Sequence, residues 1–122
     1  MSYLIIYKKN VFVKMDSKKT LVLGASENEE RYSNRCMKKL KLFGHEVVAL
    51  GLRAGEVDGI KIETEKILFE NVDTVTMYMG EKNQSGYEDY VLSLNPKRII
   101  FNPGAENQNL FSVAEKFFIS FT

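Results

Sequence analysis

The stretch KTLVLGASENEERYSNR, residues 19–35, decides how this chain reads. Thr20-Leu21-Val22-Leu23 has the unbroken apolar character of a strand buried on both faces. Gly24 ends it, and a helical pattern follows in which Cys36, Met37, Leu40 and Phe43 recur at i, i+1, i+4 and i+7. Gly44 stops that helix, as glycine commonly does just past a C-terminus. The polar connection between strand and helix exceeds the usual two to six residues, which favours a binding loop over a bare turn. A helix beginning there would offer unpaired N–H groups and a positive dipole end to a phosphate. Gly24 lets the backbone turn closely, Ser26 adds a hydroxyl, and Arg31 brings a guanidinium fork. The ligand-free alternative is a capping box over Ser26-Glu27-Asn28-Glu29, or Ser33 as the N-cap.

Outward from this unit, strands and helices alternate. Glu46 to Leu50 reads as a second strand ending at Gly51, and Gly59 to Ile62 as a very short third. Thr64 to Glu70 predicts a brief helix, and the β-branched run Asp73 to Met79 a fourth strand. A helix follows over Gln84–Leu94, ended by Asn95-Pro96 because the residue before proline avoids the α region. Arg98 to Phe101 is a fifth strand running into Asn102-Pro103-Gly104, and Asn107 to about Phe117 a last helix. Such alternation predicts an α/β fold, a Rossmann-like three-layer sandwich around a parallel sheet of order 3-2-1-4-5. Ligands of these sheets bind outside the carboxyl ends of the strands at the switch point, here the loops after Leu23, Leu50, Met79 and Phe101. Residues 1–17 read differently, as an N-terminal extension that could form a hairpin on a sheet edge, leaving 18–122 as the domain.

Composition sets outer limits. At 122 residues the chain suits one domain, and 17 basic against 16 acidic residues leave a formal charge of +1. That balance gives no reason to expect nucleic acid. No apolar run approaches the roughly 20 residues of a membrane helix. The one cysteine excludes an internal disulfide and a cysteine-built zinc site, and a cytoplasmic protein is expected. Cys36 lies on the packing face of its helix, and His45 falls on the amino-end side of the sheet, suited to a helix C-terminus. Glu27, Glu29 and Glu30 read as a solvated helix start. With no acid–base pair, metal cluster or triad in view, binding is expected rather than catalysis.

The phosphate can be narrowed. A P-loop needs a glycine-lysine-serine/threonine triplet, which is absent. The dinucleotide fingerprint would need glycines where Ser26 and Glu29 stand, and an acid at the end of the second strand. The chain there reads Leu50-Gly51-Leu52-Arg53, and an arginine suits an extra ribose phosphate, as in NADP or coenzyme A.

Lys19 to Ser26 with Arg31-Tyr32-Ser33, Gly44 to Val48, Gly55 to Ile60 and Pro96 to Asn107 together resemble the small single-domain CoA-binding proteins, similar in fold to the CoA-binding domain of succinyl-CoA synthetase. The resemblance implies a small-molecule ligand, coenzyme A or an acyl-CoA, with a small NADP-binding oxidoreductase or redox sensor as the alternative. It implies that Gly24, Ala25, Ser26, Arg31, Tyr32 and Ser33 line the pyrophosphate and pantetheine side. Gly51 and Arg53 would flank the adenosine, and Met79 and Gly80 would lie against the ligand. Asn102, Pro103 and Gly104 would close the site opposite, or form only a tight turn. The end, Phe118-Ile119-Ser120-Phe121-Thr122, departs from the family pattern of a further strand. The final strand is therefore expected to be missing or altered, leaving the fifth as an exposed edge through which a homodimer could pair.

Overall fold

The computed structural model describes residues 2–7, 11–16, 18–116 and 119–121. Two strands, β1 (Ser2–Tyr7) and β2 (Val11–Asp16), pair antiparallel from Ser2↔Asp16 to Tyr7↔Val11. They form a two-stranded sheet of their own, so the hairpin is not an edge of the larger sheet.

The larger sheet is built from β3 (Thr20–Leu23), β4 (Val47–Leu50), β5 (Gly55–Val57), β6 (Ile60–Glu63), β7 (Thr74–Met77), β8 (Arg98–Phe101) and β9 (Ser120–Phe121). Its spatial order is β5-β6-β4-β3-β7-β8-β9. The expected order 3-2-1-4-5 covers only the inner five of these, and two additions correct it. At one edge β5 folds back antiparallel on β6, with Gly55↔Ile62 and Val57↔Ile60. At the other, β9 pairs parallel with β8 through Arg98↔Ser120 and Ile99↔Phe121. The final strand is thus present, though only two residues long, and β8 is not the bare edge that the sequence predicted.

Helix α1 (Tyr32–Leu42) follows β3; α2 (Glu81–Gln84) and α3 (Glu88–Ser93) follow β7; α4 (Gln108–Lys116) follows β8. Side-chain alternation along the strands builds two cores. Val22, Ala49 and Ile62 point to the face covered by Met37 of α1. Leu21, Leu23, Val75, Met77 and Ile99 point to the other, where Val91 of α3 and Leu110 of α4 meet them. Both central strands, β3 and β7, are buried throughout, which is why they read as apolar and β-branched runs. The threonines among them are partnered: the Thr20 hydroxyl donates to Lys18 O at 3.0 Å and that of Thr74 to Asp73 Oδ1 at 2.7 Å.

Helix α1 ends as expected. Gly44 (φ +83°) donates to Lys41 O and His45 to Leu40 O, each at 3.0 Å, which is the Schellman arrangement. His45 also accepts the Lys18 N–H on Nδ1 at 3.1 Å, fastening the start of β3.

Two helical expectations need correction. The helix expected over 84–94 is shortened to α3, and a turn at 85–87 that contains Gly86 separates it from α2. The helix expected over 64–70 is irregular chain, with Leu68 69% exposed, so its apolar residues do not form the buried stripe that would hold a helix. That segment is held from outside. Lys66 Nζ donates to Gly86 O, and the Tyr90 hydroxyl donates to Ile67 O at 2.5 Å. Burial pushes the Tyr90 phenol up to about 12. An unfolded tyrosine ionises near about 10, so the unfolded chain holds fewer protons between the two values and stability falls as pH rises through that window. Tyr90→Phe is expected to flatten the decline of melting temperature above about pH 10, read by thermal melts across alkaline buffers.

Among the described residues no helix is long and apolar enough to cross a membrane.

Candidate functional site

The chain leaves β3 toward β4 on one side and returns to β7 on the other, so the loops after β3 and β7 diverge and open a crevice at the carboxyl ends of the strands. A cavity of about 540 Å³ lies there.

Its central wall is the loop 24–31, pinned closely to the sheet. Gly24, at φ +100°, and Ala25 both donate to Leu50 O, at 2.8 and 3.1 Å. A Cβ on Gly24 would stand 3.0 Å from Tyr78 C and Met79 N, so glycine is required by both conformation and space. The loop passes directly over the end of β4: a Cβ on Gly51 would stand 2.4 Å from Ala25 O.

Beyond Ala25 the loop carries its own scaffold. Ser26 Oγ accepts from Asn28 N at 3.0 Å, and Asn28 Oδ1 from Glu30 N at 2.9 Å. The buried Asn34 donates through Nδ2 to Ser26 O at 3.0 Å. Glu27 reaches across to β5, where its Oε2 accepts from Glu56 N at 3.0 Å. These contacts dispose of the capping-box alternative. The Ser26 hydroxyl serves a turn two residues on, not the start of α1. The helix is flanked by Arg31 without a side-chain cap and carries no acid in its first turn. Arg31, just before that uncapped end, is the residue of this junction that lines the cavity.

The cavity gathers Gly24, Ala25, Ser26 and Arg31 from the first loop, Arg53 from the loop after β4, and Met79 and Gly80 from the loop after β7. These seven of the sequence-predicted residues come together. Neither guanidinium is in an ion pair among the described residues. The remaining predicted residues lie outside the lining. Tyr32 is 75% exposed with Arg35 against its ring, and Ser33 is buried in the first turn of α1. Gly51 is buried beneath Ala25. Asn102, Pro103 and Gly104 form a turn closed by Ala105 N to Asn102 O at 2.8 Å, while Asn102 Nδ2 donates to Thr76 Oγ1 and Met77 O, both at 2.8 Å.

Six lining residues escaped the sequence reading: Glu27, Asn28, Leu52, Ala54, Tyr78 and Asn83. Glu27 and Asn28 belong to the loop between β3 and α1, and their signal was the length of that loop. Leu52 and Ala54 flank Arg53. Tyr78 read as strand core and Asn83 as connection, because α2 is too short to show a period.

Burial first, and then its hydrogen bond to Cys36, push the Tyr78 phenol well above its ordinary value. It is a neutral hydrogen-bonding wall at pH 7. Burial likewise raises the Cys36 thiol, with the Tyr78 hydrogen bond opposing, so it is a poor nucleophile there. Among the described residues no three His, Cys, Asp or Glu side chains gather as a metal ligand set.

The model of a family described as CoA binding domain matches residues 18–121. Among solved structures, an uncharacterized protein is 42% identical with a TM-score of 0.85, over 88% of this chain and 89% of its own. A conserved hypothetical protein from Pyrococcus furiosus is 26% identical with a TM-score of 0.74, over 85% of this chain and 90% of its own. A hypothetical protein from Pyrococcus horikoshii OT3, at 23% identity and a TM-score of 0.78 over 87% of this chain and 75% of its own, shares the fold. No curated protein matches the chain.

Proposed function

We propose that this chain, which belongs to the CoA binding domain family, holds coenzyme A or an acyl-CoA in the crevice of the 24–31 loop without transforming it, as a carrier, sensor or regulatory domain. The observation that carries the reading is the placement in one cavity of Arg53 and of Arg31, the residue that precedes the uncapped start of α1. Together they supply separated positive charge for a ligand with more than one phosphate group.

Ser26, Arg31 and the α1 start suit the pyrophosphate. Arg53, between Leu52 and Ala54, suits the ribose phosphate with apolar surface beside it for adenine. Met79, Gly80 and Asn83 then face the pantetheine arm. The residues present fit such a ligand: the glycine at 24 and the small Ala25 bring backbone rather than side chains to the crevice. Among the titratable groups there, Tyr78 is held neutral, which suits a wall and not a base.

Calorimetry with coenzyme A tests the reading, and the absence of both binding heat and a rise in melting temperature at saturating ligand would sink it. Arg53→Ala is expected to weaken coenzyme A about tenfold and dephospho-CoA less than about twofold. Equal losses would remove Arg53 from the ribose phosphate. NADP also carries an extra ribose phosphate, on the 2′ rather than the 3′ oxygen, and tighter binding of NADP in the same titration would favour the oxidoreductase or redox-sensing alternative.

A further inference from the structure

Gln84 has 0% exposure, yet it is polar and ends a helix of four residues. Its side-chain amide is fully used. Nε2 donates to Met79 O and to Ala105 O, each at 2.7 Å, and Oε1 accepts from Asn107 Nδ2 at 3.0 Å. Asn107 in turn accepts Leu110 N on Oδ1 at 3.1 Å, capping α4, and approaches Glu88 Oε2 at 3.3 Å. A buried carboxamide is tolerated only when each polar atom is partnered, and an apolar side chain would fill the same space without that demand. What an apolar residue could not do is satisfy two carbonyls from different loops. Met79 lines the cavity, whereas Ala105 belongs to the turn after β8.

We infer that Gln84 is a positioning residue: its amide clamps the loop after β7 to the loop after β8 and so fixes the Met79–Gly80 wall of the cavity. Resting on the coenzyme A reading, the inference assigns this clamp to the pantetheine end of the ligand and leaves the adenosine end independent of it. The geometry supports that division. The loop 24–31 starts against Tyr78 and Met79 at Gly24. Beyond that it is held by hydrogen bonds with Leu50, Asn34 and Glu56, none of which shares a hydrogen bond with Gln84 among the described residues. Ala105, which closes the Asn102-Pro103-Gly104 turn through its N–H to Asn102 O, is thereby tied to the Met79 wall by Gln84.

The test uses Gln84→Met, which keeps volume and loses the amide, with coenzyme A and adenosine 3′,5′-bisphosphate as probes. Coenzyme A affinity is expected to fall about tenfold and bisphosphate affinity to change less than about twofold. In the free protein, amide hydrogen exchange is expected to quicken over 78–83 and 103–107 and to hold its rate over 26–31. Gln84→Glu adds a readout that a merely structural role would not move. Its carboxylate faces two carbonyl oxygens and only its protonated form can donate, so coenzyme A affinity relative to wild type should recover as pH falls from about 8 to about 5. This variant also serves if Gln84→Met does not fold. Unchanged exchange over both segments, equal loss for the two probes, or no acid recovery would overturn the clamp. If wild type bound neither probe, the ligand reading would fall, and exchange alone would judge the clamp.

Discussion

Gly51→Ala is expected to disable the site while leaving the fold recognisable. The added methyl would stand 2.4 Å from Ala25 O, a backbone atom that cannot rotate away. Relief requires the loop 24–26 to lift off the end of β4, against two hydrogen bonds to Leu50 O. Overpacking of this kind costs about 1–3 kcal/mol. If the strain falls on the loop, coenzyme A should bind roughly 5- to 150-fold more weakly. The check is paired: calorimetry for affinity, and a thermal melt for the share of the strain taken by the fold. Wild-type affinity with wild-type stability would show that the loop does not sit on Gly51 in solution.

Leu21→Ala is expected to give the largest loss of stability. Leu21 is 0% exposed on β3, the strand between β4 and β7 at the middle of the sheet, and packs in the larger core. A leucine truncated at such a site costs about 2–5 kcal/mol, from lost transfer energy and the cavity left behind. Denaturant unfolding should show a lower midpoint with little change in slope. Because Leu21 faces away from α1, loop 24–31 should keep its geometry in the folded fraction. Binding measured well below the melting temperature should therefore change far less than stability.

These two positions mark what sequence could and could not show. Buried central strands declare themselves, because a strand covered on both faces has no room for the alternation that leaves other strands ambiguous. Thr20–Leu23 and Thr74–Met77 were legible for that reason, and α1 was legible because it is long enough to show a period and ends in Gly44. Short elements were not. Strand β9 spans two residues and pairs with β8 across the whole of α4, and β5 spans three in a hairpin with β6; neither is long enough to show a period. The segment 64–70 offered apolar residues that suggested a helix, yet Ile67 gives its carbonyl to Tyr90, a contact that no local pattern contains.

The site divided the same way. Loops at the switch point were predictable from topology, and with them Gly24, Ser26, Arg31 and Arg53. Tyr78 and Asn83 depended on where the chain turns after β7, and Gln84 on a loop about 20 residues further along. The family resemblance implies a place for Gly51 beside the adenosine. Its role in the structure is to make room for Ala25, a requirement visible only once both strands are in register.

The scaffold within loop 24–31 has a consequence for rates. Ser26, Asn28 and Glu27 already hold the loop through Asn28 N, Glu30 N and Glu56 N, so its ordering is completed when the protein folds. A ligand then meets a surface that has no slow rearrangement to undergo, and encounter should proceed at the speed of diffusion with mild steering by the arginines. Related ligands would arrive at nearly equal rates, and the protein would tell them apart by how long each one stays.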